Sequence, residues 1–179
     1  YNLTKRLGLW KNHVADSGKL SEYKTRGSIP GEGVAFFMLG GKPGTGDLAR
    51  LKSIKVFFQP QDFNEIKDHI LRFLDEQGEN LESIDMVLLG INGDIRTDGI
   101  YYRLMKEMFR KTACVAYKHL CGEYDTSSSF AMFLASLMIK QQQIPDILIK
   151  GSIPENINNI LIYNHLRGEN HSLYLLEKC

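Results

Sequence analysis

The stretch Ala113-Cys114-Val115-Ala116-Tyr117-Lys118-His119-Leu120-Cys121-Gly122-Glu123-Tyr124-Asp125 decides the fold. It opens as a short apolar run of strand character and passes into a segment where polar and ionisable side chains gather. Beyond it, Phe130, Phe133, Leu134, Leu137 and Met138 recur at i, i+3, i+4, i+7 and i+8, the spacing of one helix face. A buried strand that runs through a polar segment into an amphipathic helix is a unit of an α/β sheet. The start of that helix offers unbonded N–H groups and a partial positive charge, so the polar segment is where binding or catalytic groups are expected.

The same plan repeats outward. Residues 86–89 (Met-Val-Leu-Leu) read as a buried strand, 90–94 as a loop, and Asp98 as the cap of a helix carrying Ile100, Tyr101, Leu104, Met105 and Met108 on one side. Before them, Asp62 caps a helix with Phe63, Ile66, Ile70, Phe73 and Leu74 on one face, Glu65 three residues after the cap, and Gly78 as its close. Residues 33–39 (Gly-Val-Ala-Phe-Phe-Met-Leu) and 53–59 (Ser-Ile-Lys-Val-Phe-Phe-Gln) are β-rich and are expected to pair as antiparallel neighbours. The glycines and Lys42 between them lack phosphate-loop spacing and no helix follows, so they read as a connector. Downstream, Pro145 and Asp146 introduce Ile147-Leu148-Ile149, and residues 160–163 and 172–176 are closing strands around a loop over 164–171. The pattern predicts a mixed α/β sheet with packed helices, as a single domain over residues 1–179.

With 179 residues, 43% hydrophobic and 24% charged, the chain can bury one substantial core. A net charge of +1 without a dense Lys/Arg run disfavours nucleic acid and anionic lipid as partners, and no apolar run is long enough for a membrane span. Cys114, Cys121 and Cys179 fit neither a disulfide framework nor a zinc site, which points to a reducing cytoplasm. His119 and His165 lack partners at metal spacing and read as ordinary polar side chains. The run 93–99 resembles a calcium loop, but Arg96 and Met105 stand where oxygen ligands belong. No metal or cofactor is expected. Leu3, Leu7, Leu9 and Trp10 already look like part of a packed element, so the chain is expected to be part of a longer protein.

Four segments share their order with one family. Gly31-Glu32-Gly33 resembles a G-E-G-A-A segment, and residues 90–98 fall without a gap on H-G-T-G-T-x-x-G-D, matching at Gly93 and Asp98. Lys118 to Glu123 fall on K-S-N-I-G-H, matching at Lys118 and Gly122, and residues 167–173 resemble G-G-T-N-G-S-L, matching at Gly168, Asn170, Ser172 and Leu173. These are motifs of the β-ketoacyl-(acyl-carrier-protein) synthases of the thiolase superfamily, and the resemblance is to their C-terminal half, from about residue 27 to residue 177. It implies one half of a thiolase-like fold, with the lobe bearing the nucleophilic cysteine absent from this chain. It puts Lys118 and Glu123 on catalytic positions, Asp98, Leu166 and Asn170 on substrate-binding ones, and Glu32, Gly93 and Gly122 on structural ones.

The departures carry the functional reading. Two histidines of the family polarise the malonyl thioester and stabilise the enolate; here the first is Gly90 and the second Glu123. Glycine donates nothing, and an ionised carboxylate accepts hydrogen bonds and repels developing negative charge. The family's Gly-Phe-Gly-Gly gate reads His165-Leu166-Arg167-Gly168. Lys118 is either a surface lysine at a strand end or a buried partner of an acid such as Glu32 or Glu123. Asp98 doubles as a helix cap, and Cys121 falls on an apolar position, where packing outweighs reactivity. Two readings stand. One is a non-condensing subunit, like the chain-length factors that pair with an active ketosynthase in polyketide, aryl polyene or fatty acid biosynthesis with acyl carrier protein thioesters. The other is an acyltransferase that acylates a cysteine in the missing half and condenses through Lys118 and Glu123. A lone lobe is further expected to self-associate through Phe130, Phe133 and Leu137.

Overall fold

All four residues of β2 (Met86–Leu89) are apolar and buried, which sets this strand inside the sheet. The computed structural model describes residues 2–14, 16–148 and 153–179. Around β2 lie β1 (Arg50–Phe58), β3 (Ala113–Ala116), β4 (Asn159–Leu166) and β5 (Asn170–Glu177), in the order β1-β5-β4-β2-β3. β2 runs parallel to both β3 and β4, β4 and β5 form an antiparallel hairpin, and β1 closes the far edge antiparallel to β5.

Period-two alternation sends neighbouring side chains to opposite faces. Val87, Leu89, Leu161, Tyr163, Leu173 and Leu175 face α2 (Phe63–Asp75) and α3 (Gly99–Glu107), which contribute Ile66, Ile70, Phe73, Leu74, Tyr101 and Leu104. Met86, Leu88, Val115, Ile160, Ile162 and Leu176 face α5 (Ser127–Gln141), which contributes Ala131, Leu134, Ala135, Met138 and Ile139. The result is a mixed sheet with helices on both faces. Asp62 caps α2 as its spacing predicts, its Oδ1 accepting from the Glu65 N–H at 2.9 Å. Two short helices complete the set: α1 (Asn2–Arg6), and α4 (Lys118–Cys121), one turn within the segment that opened the reading.

Four expectations are corrected. Residues 33–39 form no strand: the run has no ladder partner among the described residues, and Val34, Phe36, Met38 and Leu39 are exposed. β-propensity measures fit to a half-covered sheet surface, and none lies against this run. Strand β1 therefore pairs with β5 and not with 33–39. The expected loop over 164–171 is mostly ladder, since β4 continues to Leu166 and β5 begins at Asn170. Leu3 and Leu7 are exposed, and only Leu9 and Trp10 are half-buried. Asp146–Leu148 is a 3-10 turn, and Ile149 lies outside the described residues.

Candidate functional site

The chain turns at Gly122 with φ +74°, a conformation L side chains rarely adopt. A Cβ there would stand 2.6 Å from the Gly31 Cα, so two glycines let two backbones touch. The contact is sealed by Glu123 N–H to the Ile29 carbonyl (2.9 Å) and Gly31 N–H to the Glu123 carbonyl (3.1 Å). It fixes where the Glu123 side chain goes. Lys118, wholly buried on α4, donates to both Glu123 carboxylate oxygens at 2.8 and 2.7 Å. Asn92 Nδ2 donates to Glu123 Oε2 at 2.6 Å, and Ser127 Oγ reaches Oε1 at 3.5 Å.

Asn92 belongs to the loop after β2, and that loop is held from inside. The Asp98 carboxylate accepts from the Asn92 and Gly93 N–H groups at 3.2 and 2.7 Å. It makes no side-chain bond to the helix it precedes, so its capping role is corrected to that of a loop clamp. Burial pushes its carboxyl up to about 6, against the opposing pull of those two N–H donors and of Lys118. A second brace comes from the N-terminal segment. Lys11 Nζ donates to the carbonyls of Tyr23 (3.1 Å), Thr25 (3.1 Å) and Gly93 (2.7 Å) and to Thr25 Oγ1 (2.9 Å). Ser28 Oγ donates to the Asn92 carbonyl at 2.8 Å.

Space at the first family histidine position is taken. A Cβ on Gly90 would lie 2.2 Å from Asn164 Oδ1 and 2.6 Å from the Tyr101 hydroxyl. Asn164 Oδ1 accepts from the Tyr117 hydroxyl at 3.2 Å, and Tyr101 accepts from the His165 N–H at 3.0 Å. The His165 ring stacks on Tyr101 with centroids 4.4 Å apart. Its Nδ1 accepts from the Gly168 N–H at 3.3 Å, which leaves Nε2 as a buried N–H with no hydrogen-bond partner. Burial, then the Lys118 charge, drives this histidine down to about 3, so it stays neutral.

Of the residues singled out in the sequence, the fold brings Lys118, Glu123, Asp98, Gly93 and Gly122 together. It leaves three apart: Glu32 is exposed and makes no ion pair among the described residues, Leu166 is half-buried at the end of β4, and Asn170 is exposed at the start of β5. Lys118 thus takes Glu123 and not Glu32. At the position of the family's gate, His165 and Leu166 sit in the β4–β5 ladder. Cys121 is half-buried with its thiol pushed up to about 11, an environment that disfavours the thiolate. No group of three or more His, Cys, Asp or Glu among the described residues could hold a metal ion.

Asn92, Asn164, His165 and Lys11 were missed as members of this network. Their side chains meet from positions far apart in the chain, and polar type alone does not announce such meetings. The assembled cluster of Asn92, Asp98, Lys118, Glu123, Ser127 and His165 is at 8% exposure or less throughout. The Lys118 ammonium and the Glu123 carboxylate neutralise each other, and that carboxylate is engaged by three side-chain donors. The Lys118–Glu123–Asn92 group can hold a framework together, and the Glu123 carboxylate at the second histidine position has no proton to donate to an enolate.

The class is one of fold: the chain has the thiolase-like fold of ketosynthases. It superposes over 99% of its length on the ishigamide ketosynthase/chain length factor, with a TM-score of 0.70 at 17% identity, and spans 50% of that chain. Ketosynthase twelve from the bacillaene polyketide synthase of Bacillus amyloliquefaciens matches 74% of the chain with a TM-score of 0.59 at 13% identity, over 30% of its own length. A type II polyketide synthase acyl-carrier protein in complex with its ketosynthase matches 74% with a TM-score of 0.55 at 13% identity, over 39% of that chain. No protein-family model and no curated protein matches the sequence. No helix among the described residues is long and apolar enough to cross a membrane.

Proposed function

We propose that this chain is the C-terminal lobe of a non-condensing ketosynthase-like protein, a chain-length-factor-like subunit of polyketide or fatty acid biosynthesis, the aryl polyene type included. The observation that carries the reading is the state of the two histidine positions. One is a glycine whose side-chain space is filled by Asn164 and Tyr101, and the other is a carboxylate closed off by Lys118 and Asn92. In this reading Lys118 and Glu123 are a structural pair in place of catalytic groups, and Asp98 clamps the loop that carries Asn92. The apolar surface of Val34, Phe36, Met38, Leu39, Ile54, Val56 and Phe58 is what the other lobe covers. The intact protein works in the cytoplasm as a heterodimer with an active ketosynthase that handles acyl carrier protein thioesters.

The test is condensation by the full-length protein with malonyl and acyl carrier protein thioesters. Alone, it is expected to show none above background, because each missing oxyanion donor commonly costs about a hundred- to a thousand-fold in rate. Co-purification with a ketosynthase, and turnover only in that complex, is the expected positive result. Robust turnover by the protein alone, abolished by Glu123→Gln, would instead establish the acyltransferase that condenses through Lys118 and Glu123.

A further inference from the structure

The N-terminal segment leaves at Leu9 and comes back at Ser28: the Ser28 N–H donates to the Leu9 carbonyl at 2.9 Å, and the Lys11 N–H to the Ser28 carbonyl at 2.8 Å. Gly27, at φ +80°, lets the two backbones cross, since a Cβ there would stand 2.8 Å from the Trp10 carbonyl carbon. The Lys11 side chain, at 8% exposure, ends among four oxygens at 2.7–3.1 Å: the carbonyls of Tyr23, Thr25 and Gly93 and the hydroxyl of Thr25. An ammonium has three hydrogens, so four oxygens at these distances surround it as they would an ion, by charge more than by direction. All four are neutral, and the carboxylates of Asp94 and Asp98 balance the charge from further off. The distances exceed the roughly 2.3–2.6 Å of calcium and 2.0–2.1 Å of magnesium. Carbonyl oxygens are the ligands that replace the hydration shell of potassium.

We propose that this oxygen cage is a monovalent-cation site which the chain fills with its own Lys11, and that the ammonium is a positioning group: it ties the N-terminal loop to the loop after β2 and so holds Asn92 against Glu123. The path of contacts is short. Gly93, whose carbonyl closes the cage, follows Asn92, and the Asn92 carbonyl accepts from Ser28 Oγ at 2.8 Å. The Ile95 N–H donates to the Thr25 carbonyl at 3.2 Å, and Asn92 Nδ2 donates to Glu123 Oε2 at 2.6 Å. With the ammonium gone, three carbonyl oxygens face one another uncompensated, and the two loops part unless another cation enters. The ligand that fits the vacated cage is a singly charged ion of potassium or ammonium size, or a primary alkylammonium. A small divalent ion is bound by carboxylates at shorter distances. The inference does not depend on whether the protein condenses.

In the full chain labelled with 15N, the Lys11 ammonium is expected to give a resonance protected from exchange at neutral pH, unlike that of the exposed Lys24. Lys11→Met, which keeps the stem, and Lys11→Ala, which removes it, should each lower the melting temperature by about 5–10 °C. Both should also open the Gly93 amide and the Asn92 side-chain amide to exchange, and Lys24→Ala should do neither. Potassium or ammonium chloride should restore at least half of the loss in both variants. Propylammonium, the fragment missing from Lys11→Ala, should restore it in that variant alone, and tetramethylammonium at the same ionic strength should restore none. A Lys11 ammonium that exchanges freely in the parent overturns the proposal even if neither variant folds. Variants as stable as the parent overturn it too, as does a loss that no cation repairs, that tetramethylammonium repairs as well as potassium, or that leaves the Asn92 side-chain amide protected.

Discussion

Lys118 and Glu123 form a pair whose members cannot be separated cheaply, because each is buried and each is the other's counter-ion. Lys118→Ala leaves an uncompensated buried carboxylate and should cost about 3–5 kcal/mol in urea unfolding. Lys118→Met combined with Glu123→Leu should recover most of that loss, since replacing a buried pair with apolar groups of like volume is often neutral. If the single variant unfolds like the parent, the pair is not structural. Gly90 argues a second point: Gly90→His does not restore the lost histidine, because its Cβ meets Asn164 and Tyr101 before the ring is placed. A lower melting temperature without activity is the expected result, and Asn164→Gly should relieve part of the loss. The third residue is His165. Below pH 6.5 the unfolded chain takes up a proton that the folded His165, held near 3, refuses, so acidification removes stability. Asp98 acts in the opposite sense: its folded carboxyl, near 6, takes a proton before the unfolded one does, so its contribution grows as pH falls from about 6 toward 3.8. Relative to the parent, His165→Phe should therefore gain about 1.4 kcal/mol per pH unit between pH 6.5 and about 4.5, measured as chemical denaturation at each pH. Lys118, Glu123 and Asp98 were legible because local spacing marked them, whereas Asn164 and His165 were not, because only the pairing of β4 with β2 brings them beneath Gly90.

Elements whose own residues carry the period were readable. α2 buries Ile66, Ile70, Phe73 and Leu74 and α3 buries Tyr101 and Leu104, as their spacing announces, whereas α5 buries Leu134 and Met138 together with Ala131, Ala135 and Ile139 and leaves Phe133 exposed; Asp62→Ala should cost α2 about 1 kcal/mol through loss of the bond to Glu65. Elements defined by a neighbour were not readable. The run 33–39 has strand composition but no edge to join, and residues 164–171 have turn-like composition yet are drawn into a ladder by the register of β4 on β5. A strand is a relation between two segments, and one segment cannot show it alone.

At the scale of the molecule, coverage is uneven. One face of the β1 edge shows Ile54, Val56 and Phe58, α5 shows Phe133, and Phe36 and Met38 stand almost fully in solvent. Exposed apolar surface of this kind drives association. The isolated chain should sediment as a dimer or larger and bind a hydrophobic dye, and Phe36→Lys with Met38→Lys should shift it toward monomer. A monomer at high concentration that ignores the dye would remove support for a missing covering lobe.

The placement of β1 has a consequence in time. Arg50 bonds Glu177 across 127 positions of sequence, and among the described residues β5 is the only strand that β1 pairs with. On the ribosome, at about 5–20 residues per second, the wait between the two strands is roughly 6–25 s. For that interval an apolar strand is out of the tunnel with nothing to pair with, and premature release before β5 is made should yield aggregate in place of a smaller soluble product. The edge of this sheet is the first part of it to be synthesised and the last to be joined.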